Sequence, residues 1–461
     1  IEMGLLKLVI VPALVAVAAF FAYTTLVPAK KLDFPRQGWF GTGKIRNDDI
    51  TISPFKVAVP EGVLEDLKKR LSNARISHEV LEDADSFEYG FNANYLKKVV
   101  EHWQTKFDWR KQEAILNTWP QFTTEIEGVK VHFYHAKPDA KKYKKIVPLL
   151  LVHGWPGNVF EFYKILPMLL DPVAHKVATR NGIAFEVIAP SIPGYGFSDA
   201  PKKTGFSQLA AARVFKKLME RVGHKKFYLQ GGDWGSIINS QLARMYPESV
   251  YGLHLNMASA SPNTPLGLFY AVAGSIFPQY LFNHKHHHTY STIKLFTEVL
   301  LPESGYMHLQ ATKPDTVGTG LNDSPLGLAA YILEKFSTWT NPEYRKLADG
   351  GLTKKFTLDE LLTVVTIYWT QGNIVASQRF YKECFADPNN FPLTNQYISV
   401  PTAHAQFPNE LFDKQPAEII ATGMNLTSQV VMPDGGHFAA FEQPFHLASH
   451  VFTFVSGLEK K

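Results

Sequence analysis

An aspartate lies between glycines where an apolar strand is expected to give way to a helix. The segment, residues 228–240, is YLQGGDWGSIINS, and Asp233 stands between Gly231 and Gly235. The residues before it are typical of a strand, and those after it have apolar side chains at helical spacing. A glycine-x-nucleophile-x-glycine turn exposes a nucleophile at the end of a strand. The alternative is that Asp233 only caps the helix, since Asp is a common N-cap residue. This segment alone does not decide between the two.

A histidine near the carboxyl terminus is the candidate base. His437 lies in PDGGHFAAFEQP, after a predicted strand and before the last helix. A base there would complete the order nucleophile, acid, histidine of α/β-hydrolases, although a histidine that only caps the helix is the alternative. Such a base needs a carboxylate that holds its tautomer. Glu410, in AQFPNELF, is the preferred acid, and Asp413 and Asp434 remain open alternatives.

The motif HGWPG, residues 153–157, is a candidate oxyanion site. It follows the predicted strand VPLLLV, and its turn can aim the backbone N–H of Trp155 at developing negative charge. The N–H of Trp234, the residue after Asp233, is the expected second donor. A tight turn with a packed tryptophan is the alternative for this motif alone.

The order of elements predicts a doubly wound α/β fold. From residue 147 strands alternate with glycine-rich turns and helices, and runs such as LLLV predict parallel strands that are buried on both faces. The alternation breaks at about residue 261, where helical spacing predicts an inserted lid. The predicted divisions are a membrane anchor (4–28), an N-terminal extension of linker, helices and hairpin (29–143), the first part of the core (144–260), a helical lid (261–392) and the second part of the core (393–461).

Composition narrows the classes of function. The chain has 461 residues and a formal net charge of +5 with no long basic run, which argues against nucleic acid as a partner. The single cysteine, Cys384, excludes an internal disulfide framework. The segment NHKHHH, residues 283–288, lacks the ligand spacing of a closed metal site and predicts a solvated loop. We expect neither a metal nor a cofactor.

The N-terminal run Leu8–Val27 is uncharged and long enough to cross a bilayer as a helix. A cleaved signal peptide ending at residues 16–18 is the alternative, but the apolar run continues well past that point. Lys30, Lys31 and Arg36 follow the run. By the positive-inside rule these charges predict a single-pass anchor with the catalytic body on the cytosolic side.

Several long motifs together resemble the microsomal epoxide hydrolase family, which includes insect juvenile hormone epoxide hydrolases. They are HGWPG, PGYGFSD, GGDWG and GGHFAAFEQP, with the strings GYMHLQATKPDTVGTGLNDSPLGLAAYILEKFSTWT and YWTQGNIVASQRFYKE in the predicted lid. The resemblance runs over most of the chain. It implies an α/β-hydrolase core with a helical lid, and a location in the endoplasmic reticulum membrane.

The resemblance also implies roles for individual residues. These are Asp233 as nucleophile, His437 as base, Glu410 as its acid, and Tyr306 and Tyr381 as the lid tyrosines that donate to the epoxide oxygen. The resemblance alone selects this tyrosine pair over Tyr270, Tyr331 and Tyr368. The implied reaction passes through an ester on the aspartate, yields a vicinal diol and needs no cofactor.

Two other functions stay open on the sequence. A haloalkane dehalogenase also uses an aspartate on this turn, but would need halide-binding N–H donors in place of the tyrosine pair. A membrane-anchored ligand-binding protein without activity is the second, since a fold does not fix a function. The expected partners are a small hydrophobic epoxide, terpenoid or xenobiotic, and membrane lipid; composition does not indicate an oligomeric state.

Overall fold

The computed structural model describes residues 34–76, 78–179, 182–412 and 414–460. The predicted anchor at 4–28 lies outside these residues, as does Asp413, one of the acid candidates. Among the described ranges, no helix is long and apolar enough to cross a membrane.

A nine-stranded sheet forms the centre of the molecule. Its order is β1-β2-β3-β5-β4-β6-β7-β8-β9; pairing is antiparallel from β1 to β5 and parallel from β5 to β9. All five residues of β6 are buried, so helices cover both faces of the sheet there. The predicted doubly wound α/β architecture is confirmed. The strands are β1 (Ser53–Phe55), β2 (Gln121–Ile126), β3 (Val129–Ala136), β4 (Lys145–Val152), β5 (Ile183–Pro190), β6 (Phe227–Gly231), β7 (Val250–Leu255), β8 (Ile398–Gln406) and β9 (Met424–Val431).

The described part of the N-terminal extension contains three α-helices, and the first part of the core contains three more. Their apolar stripes face the core, as Leu64, Leu67 and Leu71 do in the first of them. They are α1 (Glu61–Ser72), α2 (Ala93–Thr105), α3 (Trp109–Leu116), α4 (Leu166–Leu170), α5 (Gln208–Arg221) and α6 (Asp233–Met245).

Residues 256–397, all of them described, contain helices and turns and no strand. This segment joins β7 to β8 and includes the region predicted as a lid, whose boundaries at 261 and 392 stay predictions. Its α-helices are α7 (Pro265–Ile276), α8 (Pro278–Leu281), α9 (Thr292–Lys294), α10 (Leu301–Glu303), α11 (Gly305–Thr312), α12 (Pro314–Asp323), α13 (Pro325–Thr338), α14 (Leu358–Gln371), α15 (Ile374–Ala386) and α16 (Asn390–Thr394). After β8 the chain adds α17 (Ala417–Ile420), α18 (Ala439–Glu442) and α19 (Pro444–Leu458).

The hairpin predicted in the N-terminal extension is confirmed as β2 and β3, which turn at Glu127 and Gly128. Both turn residues have positive φ, 54° and 77°. The buried Glu127 carboxylate accepts two hydrogen bonds from the Arg213 guanidinium, at 2.6 and 2.7 Å, and one from Lys217 at 2.8 Å. A bidentate, charge-assisted pair of this kind fixes the hairpin turn against α5.

Candidate active site

The turn between β6 and α6 has the geometry expected of a nucleophile elbow. Asp233 has φ +49°, a left-handed conformation that is uncommon outside glycine. A Cβ on Gly235 would lie 2.0 Å from the Val152 carbonyl oxygen, so only glycine lets the helix approach β4 this closely. Gly232 is the N-cap and Asp233 is the first helical residue. The capping alternative for Asp233 is therefore wrong.

The described loops after the parallel strands bring the predicted residues to one edge of the sheet. HGWPG follows β4, Asp233 follows β6, Glu410 follows β8 and His437 follows β9. Carboxyl ends of parallel strands share one edge, which is where α/β proteins place their sites.

His437 lies between two carboxylates. Its Nδ1 is 2.6 Å from Oε2 of Glu410, and its Nε2 is 3.4 Å from Oδ2 of Asp233. The side chains of His437 and Glu410 are 3% and 1% exposed. Burial by itself lowers the pKa of His437, but the two carboxylates outweigh it and hold that pKa well above its ordinary value.

Of the alternative acids, Asp434 is directed elsewhere. Its Oδ2 pairs with the Lys355 ammonium and accepts a hydrogen bond from Gln443 at 3.0 Å. Glu410, by contrast, uses Oε2 for His437 and accepts the Phe412 N–H on Oε1 at 3.0 Å. Glu410 therefore has the geometry to fix the histidine tautomer, and Asp434 does not.

The Trp155 N–H donates to Oδ1 of Asp233 at 2.8 Å. A Cβ on Gly154 would lie 2.3 Å from the same Oδ1, so this turn too needs glycine. The Trp155 N–H thus lies where it can stabilise negative charge on Oδ1. The corresponding role of the Trp234 N–H stays a prediction.

Tyr306 and Tyr381 come together above the elbow. The Tyr306 ring stacks on Trp155 with centroids 5.2 Å apart, and the Tyr381 ring meets Trp234 edge-on at 4.7 Å. Their own centroids are 6.0 Å apart, with the two rings edge to face. Burial raises the pKa of both phenols, so both remain protonated and can donate.

Of the other tyrosines considered from the sequence, two donate their hydroxyl groups to other parts of the protein and the third lies in a separate cluster. Tyr368 donates to the Gly157 carbonyl at 2.9 Å, and Tyr331 donates to Gln310 at 3.3 Å. Tyr270 packs in a separate cluster with Phe282.

A small cavity of about 30 Å³ lies beside the elbow. Asp233, His437, Glu161, Gln230 and Asn256 are among the residues that line it. This volume suffices for one ordered water, and the lining is polar enough to hold it. Burial raises the pKa of Glu161 to about 8, although the charge of His437 opposes that shift. No sequence pattern points to Glu161, which lies four residues after HGWPG.

Glu442 holds the loop that contains His437, a role that the sequence analysis did not predict. Its two carboxyl oxygens accept the backbone N–H groups of Gly436 and Phe438, each at 2.9 Å, on either side of His437. Burial raises the pKa of Glu442 to about 8. The recognisable signal would have been an acid one turn after the histidine within GGHFAAFEQP.

Two histidine clusters lie away from this site. In NHKHHH the prediction of a solvated loop is wrong for His287, which is buried and bonded to Gln406 at 2.7 Å, since the loop folds onto the end of β8. Within the described part of the chain, His135, Glu186 and His224 form the one group with metal-like spacing. His135 and Lys137 already pair with Glu186, at 2.6 and 3.3 Å. We describe this cluster as an ion-pair network.

Comparison with known proteins matches two family models, the epoxide hydrolase N terminus at residues 52–162 and the alpha/beta hydrolase fold at residues 147–444. Epoxide hydrolase 1 of Sus scrofa is 48% identical over 92% of this chain and 93% of the relative. Juvenile hormone epoxide hydrolase 1 of Ctenocephalides felis is 43% identical over 98% of this chain and 96% of the relative. The crystal structure of juvenile hormone epoxide hydrolase from the silkworm Bombyx mori superposes with a TM-score of 0.86 at 39% identity, covering 93% of this chain and 99% of that one.

Proposed function

The chain belongs to the epoxide hydrolase family and is an enzyme of the α/β-hydrolase fold, and we propose that it opens epoxides through a covalent ester on Asp233. The observation that carries this proposal is that the two carboxylate oxygens of Asp233 have different partners. Oδ1 accepts the Trp155 N–H at 2.8 Å, whereas Oδ2 lies 3.4 Å from Nε2 of His437. Oδ2 is therefore the nucleophilic atom.

In the first step Oδ2 of Asp233 attacks a ring carbon and the carbon–oxygen bond of the epoxide breaks. The electron pair of that bond moves to the epoxide oxygen, which becomes an alkoxide. Tyr306 and Tyr381 donate their O–H groups to it, and one of them supplies its proton. The products of this step are an ester on Asp233 and a free hydroxyl group.

In the second step a water in the cavity beside Asp233 and His437 attacks the ester carbonyl carbon. Nε2 of His437 takes a proton from this water, and Glu410 stabilises the imidazolium that forms. The tetrahedral oxyanion develops on Oδ1, at the Trp155 N–H. Cleavage of the bond between Cγ and Oδ2 sends its electron pair to Oδ2, which takes the proton from the His437 imidazolium and leaves as the second hydroxyl group of the diol. The water's oxygen stays on Asp233, and the second proton of that water passes to the tyrosinate left by the first step, which restores the free enzyme.

The pKa of His437 changes between the two steps because the charge on Asp233 changes. In the free enzyme the Asp233 carboxylate helps to raise the pKa of His437. The ester removes that negative charge, so the pKa of the imidazole falls and it becomes a better base when hydrolysis needs one.

A His437→Gln variant tests this sequence of steps. Gln cannot take the water's proton, so the ester should form and persist, and the intact mass should rise by the mass of one substrate. A His437→Gln, Asp233→Asn double variant is the matched control and should gain no mass. An unmodified mass in the single variant, under conditions where the wild type turns over, would contradict the proposal.

The substrate class we propose is a small hydrophobic epoxide, either a juvenile-hormone-like terpenoid or a xenobiotic. The aromatic walls formed by Trp155, Trp234, Tyr306 and Tyr381 suit an apolar substrate. Comparing kcat/KM for a terpenoid epoxide with that for styrene oxide distinguishes the two. No cofactor enters the proposed steps.

We further propose that Leu8–Val27 anchors the enzyme in the endoplasmic reticulum membrane with residues 34–460 on the cytosolic side. The uncharged run and the cations that follow it support this topology. Protease added to sealed microsomes should digest the catalytic body. Complete protection, with glycans at Asn322 or Asn425, would place the body in the lumen instead.

A further inference from the structure

Helix α7 exposes one apolar face to solvent. Leu266, Phe269, Val272, Ile276 and Tyr280 are 55%, 51%, 56%, 62% and 80% exposed. The first four recur at helical spacing on α7, so they lie on one side of the helix. Residues 261–283 contain no Asp, Glu, Lys or Arg. We call these five residues the α7 surface.

The opposite side of α7 is packed against the protein. Gly267 and Gly274 are buried, and a Cβ on Gly274 would lie 2.3 Å from the Phe282 ring. Phe282 packs in turn with Ile419. The exposed apolar face is thus the outward side of a docked helix. Contiguous apolar patches on soluble monomers are uncommon and mark interaction sites.

Exposed apolar side chains also occur in the turns that follow α8. Ile293, Phe296 and Leu301 are 70%, 56% and 67% exposed. Lys285 and Lys294 lie close by in the sequence and are exposed as well. Apolar side chains flanked by lysines are typical of a segment that lies in a membrane interface.

The chain enters the folded body close to the proposed membrane anchor. Six residues lie between Val27 and Phe34, and the seven steps along the chain span at most about 25 Å when fully extended. If Leu8–Val27 crosses the bilayer, Phe34 lies within that distance of the membrane surface.

A path of contacts leads from Phe34 to the α7 surface. The Phe34 ring meets Tyr246, at the end of α6, with centroids 6.5 Å apart. Arg244 of α6 donates to a backbone carbonyl in 395–396 at 2.8 Å, and Asn263, just before α7, donates to the other carbonyl at 2.7 Å. The point of chain entry and the start of α7 are therefore linked by contacts through the end of α6 and residues 395–396.

The length of α7 decides how it could meet a bilayer. Twelve residues of helix extend about 18 Å, whereas the hydrocarbon layer is about 30 Å thick. The helix is too short to span and suits a position in the plane of the interface.

We propose that the α7 surface inserts at the boundary between headgroups and acyl chains of the bilayer in which Leu8–Val27 anchors the enzyme, a proposal that rests on the anchoring proposed above. The enzyme then has two membrane contacts, one at its N-terminus and one on the helical segment that carries Tyr306 and Tyr381. An epoxide dissolved in the lipid would meet this segment directly.

Site-directed spin labelling of the full chain in phospholipid vesicles tests the α7 surface. A nitroxide is attached at Phe269→Cys in a Cys384→Ser background; Cys384 is itself buried. Tyr89→Cys, at an 81% exposed aromatic in the loop before α2, is the matched control. Accessibility to oxygen and to a polar nickel chelate is measured at both positions.

We expect the nickel accessibility at 269 to be about tenfold lower than at 89, with oxygen accessibility higher, because polar complexes are excluded from the apolar layer. High nickel accessibility at 269 would place the face in water and overturn the proposal. Low accessibility to both reagents would show protein covering it, either another segment of this chain or a second copy, and would also overturn it. Flotation of the same vesicles checks the anchor separately, since protein that floats with a water-exposed label refutes only the α7 proposal, whereas protein that does not float refutes both.

Discussion

Replacing Tyr306 and Tyr381 with Phe should separate catalysis from stability. The rings of Tyr306 and Tyr381 meet each other beside Trp155 and Trp234, whereas Tyr134 and Tyr228 donate their hydroxyl groups to a backbone carbonyl and a carboxylate. Removing one hydroxyl should therefore change the free energy of unfolding by about 1 kcal/mol or less.

The effect on the rate follows from the charge that develops. A hydrogen bond to a charged group contributes about 1.5–3 kcal/mol, and about 1.4 kcal/mol corresponds to a factor of ten in rate. Each single Phe variant should then form the ester about 10- to 100-fold more slowly. The double variant loses both donors and should be slower by about 1,000-fold or more.

Stopped-flow tryptophan fluorescence can follow ester formation in a single turnover, because Trp155 and Trp234 line the site. Tyr134→Phe is the matched control: this buried phenol donates to the Leu116 carbonyl at 3.2 Å, away from the elbow. It should lose about 1 kcal/mol of stability and keep its rate. If the Tyr306→Phe, Tyr381→Phe double variant formed the ester at the wild-type rate, the assignment of these tyrosines would be refuted.

Three further predictions concern the surroundings of the elbow. The pKa of Glu161 is raised to about 8, so the native state keeps a proton that the unfolded chain releases above its ordinary pKa of 4.5, and this group costs stability as the pH rises from about 4.5 to 8. Urea denaturation should therefore show Glu161→Gln gaining stability relative to wild type from pH 5 to pH 8, and a constant difference would contradict this. Glu442→Gln can satisfy only one of the two N–H groups beside His437 and should slow ester hydrolysis about tenfold while leaving ester formation unchanged in single-turnover traces; equal slowing of both steps would contradict a positioning role. Gly235→Ala places a Cβ 2.0 Å from the Val152 carbonyl and should destabilise the fold by about 3 kcal/mol, and an unchanged thermal midpoint would contradict that geometry.

The alternation of strands and helices and the order of the motif residues could be predicted because they are local. Strand periodicity, helix periodicity and glycine-rich turns depend only on residues that are close together in the sequence. Parallel strands then carry their carboxyl ends to one edge, so the positions of Asp233 and His437 followed from chain order alone.

The choice among neighbouring acids depends on partners that are distant in the sequence. The sequence favours Glu410 but leaves Asp434 open as an alternative, and the pairing of Asp434 with Lys355 distinguishes them. Glu161 escaped prediction for the same reason, since its burial and its position beside Asp233 arise only from tertiary packing. Likewise, His287 belongs to a polar sequence but is covered by the end of β8.

The origin of the oxygen in the product tests the central claim most directly. In the two-step route the diol of the first turnover carries Oδ2 of Asp233, and the water's oxygen stays on the enzyme. With enzyme in excess over substrate in heavy-oxygen water, we predict an unlabelled first-turnover diol and a mass increase on the peptide that contains Asp233. A labelled diol, with no label on that peptide, would show that water attacks the epoxide directly and that Asp233 is not the nucleophile.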